Sequence, residues 1–233
     1  MRHLRSLAHP AVRGSCAWLR NRYGMQGDMS LQDIRDISVD LDTPALLRFL
    51  VTEKFPGETV VTASLRARSI VVLKMVSDID PAIPVIFCHR RPVFKESIDY
   101  RSRIIDLLGL QNVSTNEGRE VDVCSGDQDH CERMWVENQT LPGRTNQLLH
   151  LNDSLKPYRC WISAVYHVPR PAGVRNRVDV EGLLIRIDPL IRWTQEEISA
   201  FMKDNNLPYH QRAARDYVSQ ESHAGEASES YHF

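Results

Sequence analysis

Eight residues, Thr62-Ala63-Ser64-Leu65-Arg66-Ala67-Arg68-Ser69, set three hydroxyls and two guanidiniums in one short stretch. Thr59, Val60 and Val61 before them are β-branched and suit a strand. Ser69, Ile70, Val72, Leu73 and Val76 carry an apolar face at helical spacing. The stretch therefore reads as a strand-to-helix turn. Such a turn offers free backbone N–H groups and the positive end of a helix dipole to an anion. Hydroxyls and guanidiniums add charge-assisted donors. Thr62, Ser64, Arg66, Arg68 and Ser69 are the candidate contacts. A plain turn with surface arginines is the alternative.

Two more basic clusters follow apolar runs. Pro81–Cys88 is continuously apolar and leads into His89-Arg90-Arg91. Tyr158–Tyr166 is a third core strand, ending at Tyr166-His167, and Arg170, Arg175 and Arg177 lie in the loop beyond it. Two-sided apolar strands suit a parallel sheet covered by helices on both faces. Helical patterns alternate with the strands: two pieces over 30–55, one over 94–110, one over 144–155, and one from Trp193 to about Asp204. Thr43-Pro44 reads as an N-cap and first-turn proline, and Thr194 with Glu197 as a capping box. Short strands are expected at 112–114 and 182–188. The class is α/β, an open, mostly parallel twisted sheet built from right-handed βαβ units. Ligands in such sheets bind outside the carboxyl ends of the strands, where all three basic clusters fall.

Composition narrows the partners. The 233 residues carry 29 Lys and Arg against 30 Asp and Glu, a net charge of −1, so the basic edge is local. Nothing pulls the whole chain toward a polyanion or a membrane. Aromatics do not interleave with the basic residues, so no nucleic acid is expected, and no apolar run is long enough to span a bilayer. The five cysteines are odd in number and irregularly spaced, which favours a reducing cytoplasm over a disulfide framework. Residues 1–29 are expected to be a basic, poorly ordered leader, with five arginines and no acid before Asp28. A domain over 30–210 follows, then a polar tail over 211–233.

Cys131 lies beside His130 and near Arg133, surroundings that favour a thiolate. Cys88 and Cys160 lie in or at the end of apolar strands, where cysteine packs as a small hydrophobe. Cys124, His130 and Cys131 match no standard zinc spacing, and no metal site is expected.

The ordered blocks resemble the phosphoadenosine-phosphosulfate (PAPS) and adenosine-phosphosulfate (APS) reductases, of the adenine-nucleotide α-hydrolase-like fold. The resemblance runs from about Phe55 to Ser219. It rests on FPGETVVTASLRARSIVVLKMVSDIDPAIPVIF, FKESIDYRSRIIDLLGL, CWISAVYH and LIRIDPLIRWTQEEISAFMKDNNLPYH. In the last block a basic residue, Pro-Leu, Trp and a closing Pro-Tyr-His recur, which puts Arg186 and His210 among the implied contacts.

The chain also departs from the family. Ala63-Ser64-Leu65-Arg66 stands for Ser-Ser-Phe-Gly, His89-Arg90-Arg91 for Asp-Thr-Gly, and Ala164-Val165-Tyr166-His167 for Gly-Leu-Arg-Arg. His130-Cys131 replaces the Cys-Cys pair of the iron–sulfur members. Ser219-Gln220-Glu221-Ser222 replaces their Cys-x-x-Cys. The Glu-Cys-Gly-Leu-His motif is missing, and no cysteine follows Cys160 in the sequence. The resemblance implies an adenine sulfonucleotide, PAPS or APS, as substrate, with no permanently bound cofactor and no iron–sulfur cluster. It implies Cys131, assisted by His130, as the reacting thiol, thioredoxin or another thiol as reductant, and a homodimer as one assembly. A nucleotide-binding protein without turnover and an ATP-using relative remain open.

Overall fold

The structure is a computed structural model. It describes residues 29–88, 93–115, 123–124, 151, 153–164 and 176–211. Helices α1 (Leu31–Asp40) and α2 (Thr43–Phe49) come first, and the chain then widens into a π-helical turn over Leu50–Lys54. Next come β1 (Thr59–Ala63), α3 (Ala67–Ser77), β2 (Val85–Phe87), β3 (Val93–Phe94), α4 (Lys95–Leu108), β4 (Val113–Thr115) and β5 (Val123–Cys124). The described chain closes with β6 (Cys160–Ser163), β7 (Val178–Glu181), β8 (Leu184–Ile187) and α5 (Gln195–Asp204).

Six strands form one sheet in the order β4-β2-β1-β6-β8-β7. Every pairing is parallel except that of β7 with β8. The α/β class and the mostly parallel sheet agree with the sequence. β1 lies inside the sheet and all five of its residues are buried, which is why TVVTA is apolar or β-branched on both faces. Val61 and Ala63 join the main core with Ile70, Leu73, Val85, Phe87, Ile162 and Ile187. Val60 faces the other way, with Ile86, Trp161, Leu151 and Leu155. Each fully buried Val or Ile there contributes about 1.5–3 kcal/mol.

α3 is buried over most of its circumference, at Ile70, Val71, Val72, Leu73, Met75 and Val76. It packs against β1, α2, α4 and α5, and a helix enclosed on that many sides must be apolar all round. α4 stops at Gly109, whose φ of 63° supplies the left-handed residue of the helix end.

The capping box of α5 forms as read: the Glu197 N–H donates to Thr194 Oγ1 at 3.2 Å and the Thr194 N–H to Glu197 Oε2 at 2.7 Å. The cap of α2 differs. Asp42, not Thr43, is the N-cap, and its carboxylate accepts from the Ala45 N–H at 2.8 Å. Thr43 is buried and its hydroxyl has another task. It accepts from Trp193 Nε1 at 3.0 Å and from Arg177 Nη2, and donates to the Pro189 carbonyl at 3.2 Å. A buried hydroxyl that already joins three segments cannot also turn back on its own helix. Strand β7 and the small β3–β5 ladder were not expected from the sequence.

Candidate active site at the carboxyl edge of the sheet

Three strand ends meet side by side. β1 has β2 on one side and β6 on the other. The Cys88 N–H donates to the Ala63 carbonyl at 2.8 Å, and the Ala164 N–H to the Thr62 carbonyl at 3.0 Å. The three segments therefore leave the sheet level with one another. From β1 the strand order runs through β2 to β4 one way and through β6 to β8 the other. This is a topological switch point, where open α/β sheets have a crevice for ligands.

The turn after β1 is held by one buried hydroxyl. Ser69 Oγ accepts from the Ser64 N–H at 3.0 Å and donates to the Ala164 carbonyl at 2.8 Å. Its single proton is thus committed, so the 2.9 Å contact with Ser64 Oγ has Ser64 as donor. Ser64 Oγ in turn accepts from the Arg66 N–H at 3.3 Å. This chain of bonds fixes the turn against the end of β6. Arg66 is the N-cap of α3 and gives the helix no side-chain cap. The first amides of α3 therefore receive no side-chain cap from Arg66, whose side chain is exposed beside them. Glycine is not needed here: Arg66 has φ −85°, which any residue adopts.

Arg68 is half-buried and donates through Nη2 to the Leu190 carbonyl. Burial lowers its affinity for a proton, and Asp188 nearby acts in the opposite direction. It braces the start of α3 against the segment after β8, which leaves Arg66 as the exposed cation of this turn. Thr62 is fully buried and accepts from Trp161 Nε1 at 2.8 Å.

The other expected contacts are distributed differently. Arg177 is buried. Its Nη1 donates to the carbonyls of Leu41 at 2.8 Å and Ser38 at 3.3 Å, and its Nη2 to Thr43 Oγ1. It ties the end of α1 and the start of α2 to β7 through its Nη groups, and its Nε meets no acceptor among the described residues. His210 is buried against α4. Its Nε2 lies 3.1 Å from Ser97 Oγ, and its ring meets Tyr100 edge-on at 4.9 Å. Tyr100 donates to the Pro208 carbonyl at 2.7 Å, so Pro-Tyr-His is a clasp that seats the segment after α5. Arg186 lies in β8, level with Trp161 of β6. His89, Arg90, Arg91, His130, Cys131, Tyr166, His167, Arg170 and Arg175 lie outside the described residues.

Neither Cys88 nor Cys160 is activated. Burial pushes the Cys160 thiol up to about 12, with a bond to Thr59 opposing it. Burial likewise pushes Cys88 up to about 12, although its side chain keeps some exposure. Both stay protonated near neutral pH and pack as apolar groups, as their place in the strands implied.

The Phosphoadenosine phosphosulfate reductase domain matches residues 58–219, which span all three strand ends and the turn between them. The chain belongs to this family. Among relatives of this family member, the adenosine 5′-phosphosulfate reductase of Chelativorans sp. (strain BNC1) is 26% identical over 164 residues, 70% of this chain and 66% of that protein. The protein of the same name from Staphylococcus epidermidis is 22% identical over 191 residues, 80% of this chain and 78% of that one. The phosphoadenylyl-sulfate reductase of Candida auris, solved as a phosphate complex, superposes with a TM-score of 0.61 at 16% identity, over 82% of this chain and 95% of that one. The fold is thus the one the sequence blocks implied, and the chain is PAPS/APS reductase-like. Among the described residues no helix is long and apolar enough to cross a membrane.

The sequence missed the role of Ser69 as the bond between the turn and β6. The local signal was present: a serine five residues after Ser64, one turn inside a helix, where an inward hydroxyl can only serve the turn. The inward role of Arg177 had no such signal, because its carbonyl partners lie far away in the chain.

Proposed function

We propose that this protein binds an adenine sulfonucleotide, PAPS or APS, at the carboxyl edge of the sheet and reduces its sulfonyl group to sulfite. The observation that carries the reading is the uncapped start of α3 at the switch point, with Arg66 exposed beside it. A helix start open to a crevice favours a phosphate, and the family match covers this region. Ser64 and Ser69 serve by shaping the turn, and Arg66 by direct charge. His89, Arg90, Arg91, Tyr166, His167, Arg170 and Arg175 extend the basic edge in the segments that follow β2 and β6.

The chemistry falls to Cys131. Its thiolate attacks the sulfur, the S–O bond to the nucleotide phosphate breaks, and the nucleotide leaves with the electron pair. The Cys131 thiosulfonate is then attacked at Sγ by a second thiol, from thioredoxin or a small thiol. Sulfite departs and a disulfide forms, so the dithiol supplies the two electrons. His130 would hold the thiolate in its charged form. The reading needs no iron–sulfur cluster. Of the five cysteines, Cys160 in β6 and Cys88 just after β2 are held protonated by burial, and the remaining three fall short of four thiolate ligands. A dithiol reductant places the reaction in a reducing compartment, the cytoplasm.

The test is sulfite release from sulfur-labelled PAPS and APS with thioredoxin, for the wild type and Cys131→Ser. Release by the wild type and loss in the variant are expected. Equal release by the variant would remove Cys131 from the mechanism. A second reading, nucleotide binding without turnover, is favoured by the high pKa of Cys88 and Cys160. Tight calorimetric binding with no release by the wild type would establish it.

A further inference from the structure

Arg186 is 5% exposed, yet two of its donors are unused. Nη1 donates to Glu181 Oε2 at 2.8 Å, and the guanidinium carbon lies 5.3 Å from the centre of the Trp161 ring. Among the described residues Nε and Nη2 meet no acceptor. Leaving donors of a buried cation unpaired is costly. Arg177 makes the contrast: both its Nη groups are bonded and only Nε is open.

The two open donors of Arg186 are neighbours. A guanidinium is planar and trigonal, and Nε and Nη2 share one edge, opposite Nη1. That edge faces away from Glu181 and presents two parallel N–H bonds, the fork that accepts two oxygens of one oxyanion. Its setting is rigid. The Trp161 indole N–H is committed to Thr62 Oγ1 at 2.8 Å, which fixes the ring under the guanidinium, and Glu181 fixes the opposite side. Glu181 offsets the charge without reaching the fork.

The position is also separate from the turn after β1. Arg186 is level with Trp161 and Val60, and those two residues lie on the sheet face away from the main core that α3 enters.

We propose that the Nε/Nη2 edge of Arg186 is a second anion site, which takes two oxygens of a phosphate, a sulfate or a carboxylate side-on. The resemblance in the sequence counted Arg186 among the nucleotide contacts; the proposal stands instead on the unpaired fork and does not need nucleotide reduction, since inorganic phosphate is ligand enough. The face of Trp161 and the buried fork select a small oxyanion group, either free in solution or carried by a larger molecule.

The experiment is an NMR titration of the full chain, following the arginine Nε–H signals with inorganic phosphate, sulfate, acetate and adenosine 5′-phosphate in separate arms. The Arg186 signal is assigned by its loss in Arg186→Lys. Phosphate is expected to shift that signal saturably. Arg186→Lys keeps the charge but not the fork, and should bind phosphate about tenfold more weakly, the worth of one charge-assisted hydrogen bond. Glu181→Gln removes the counter-charge and should bind it more tightly. A tighter site for adenosine 5′-phosphate than for phosphate assigns the nucleotide as the source of the anion, and equal or weaker binding assigns the free ion. Acetate binding as tight as phosphate assigns a carboxylate. An Arg186 signal that no arm moves would overturn the proposal. So would a signal already at its hydrogen-bonded position without added anion, which would mean that a carboxylate of the chain fills the fork. Unchanged binding in Arg186→Lys would overturn it as well. Should that variant fail to fold, the wild-type titration and Glu181→Gln decide alone.

Discussion

Ser69 Oγ donates to the carbonyl of Ala164 across 2.8 Å, and this bond joins the turn after β1 to the end of β6. The same oxygen receives the N–H and the hydroxyl of Ser64. One buried side chain thus holds both walls of the crevice. Ser69→Ala leaves two donors and one carbonyl without that partner. The cost expected is about 1–3 kcal/mol, read as a lower urea midpoint at unchanged slope. Nucleotide affinity should fall with it, because the first amides of α3 lose their fixed direction. A variant as stable as the wild type would show that the turn does not depend on this hydroxyl.

Arg66 and Arg177 separate binding from structure. Arg66 is exposed and caps nothing with its side chain. Arg66→Ala should leave stability within about 0.5 kcal/mol and weaken calorimetric nucleotide binding about tenfold, one charge-assisted bond. Affinity equal to wild type would take Arg66 out of the site.

Arg177→Met should do the reverse. It removes the donors to the Ser38 and Leu41 carbonyls and to Thr43 Oγ1 and leaves these acceptors without that bond. A loss of about 3 kcal/mol or more is expected from three charged hydrogen bonds at about 1.5–3 kcal/mol each, with the intrinsic nucleotide affinity of the folded fraction unchanged. Thermal unfolding and titration calorimetry on the same sample check both halves.

Arg66, Arg177 and Arg186 show how far sequence reading reaches. All three carried the same expectation, since each stands in a basic stretch or a matched block. Whether a guanidinium faces a ligand, a carbonyl or a neighbouring ring is set by tertiary packing, which one-dimensional spacing does not encode. The sheet was legible because burial on both faces forces long apolar or β-branched runs such as TVVTA and CWIS. β7 was not legible. VDVE alternates, lies at the sheet edge and follows a basic loop, so it reads as part of that loop. The capping box at Thr194 was legible because both partners are local. Thr43 was misread as a cap because its partners, Trp193, Arg177 and Pro189, are distant in sequence.

The buried thiols carry a pH signature. Burial holds Cys160 and Cys88 near 12 in the folded state against an ordinary value of 9.0. Above pH 9 the unfolded chain releases these protons and the folded chain does not. The unfolded state then binds fewer protons, so stability falls as pH rises. The contribution is fully present below about pH 9 and is lost as pH climbs toward 12. Urea midpoints measured across that window should fall, and the fall should be shallower in Cys160→Ala. An identical slope in the variant would show that other groups set the alkaline limit. In the same vein, a thiol reagent applied to the native protein at neutral pH should leave Cys160 unlabelled.

The most direct measurement on the central claim is a crystal structure of this chain with the nucleotide product, adenosine 3′,5′-bisphosphate, bound. A phosphate is expected at the start of α3, within hydrogen-bond reach of its first amides and of Arg66, in the crevice between the ends of β1 and β6. Well-defined nucleotide elsewhere on the protein, with that crevice empty, would contradict it.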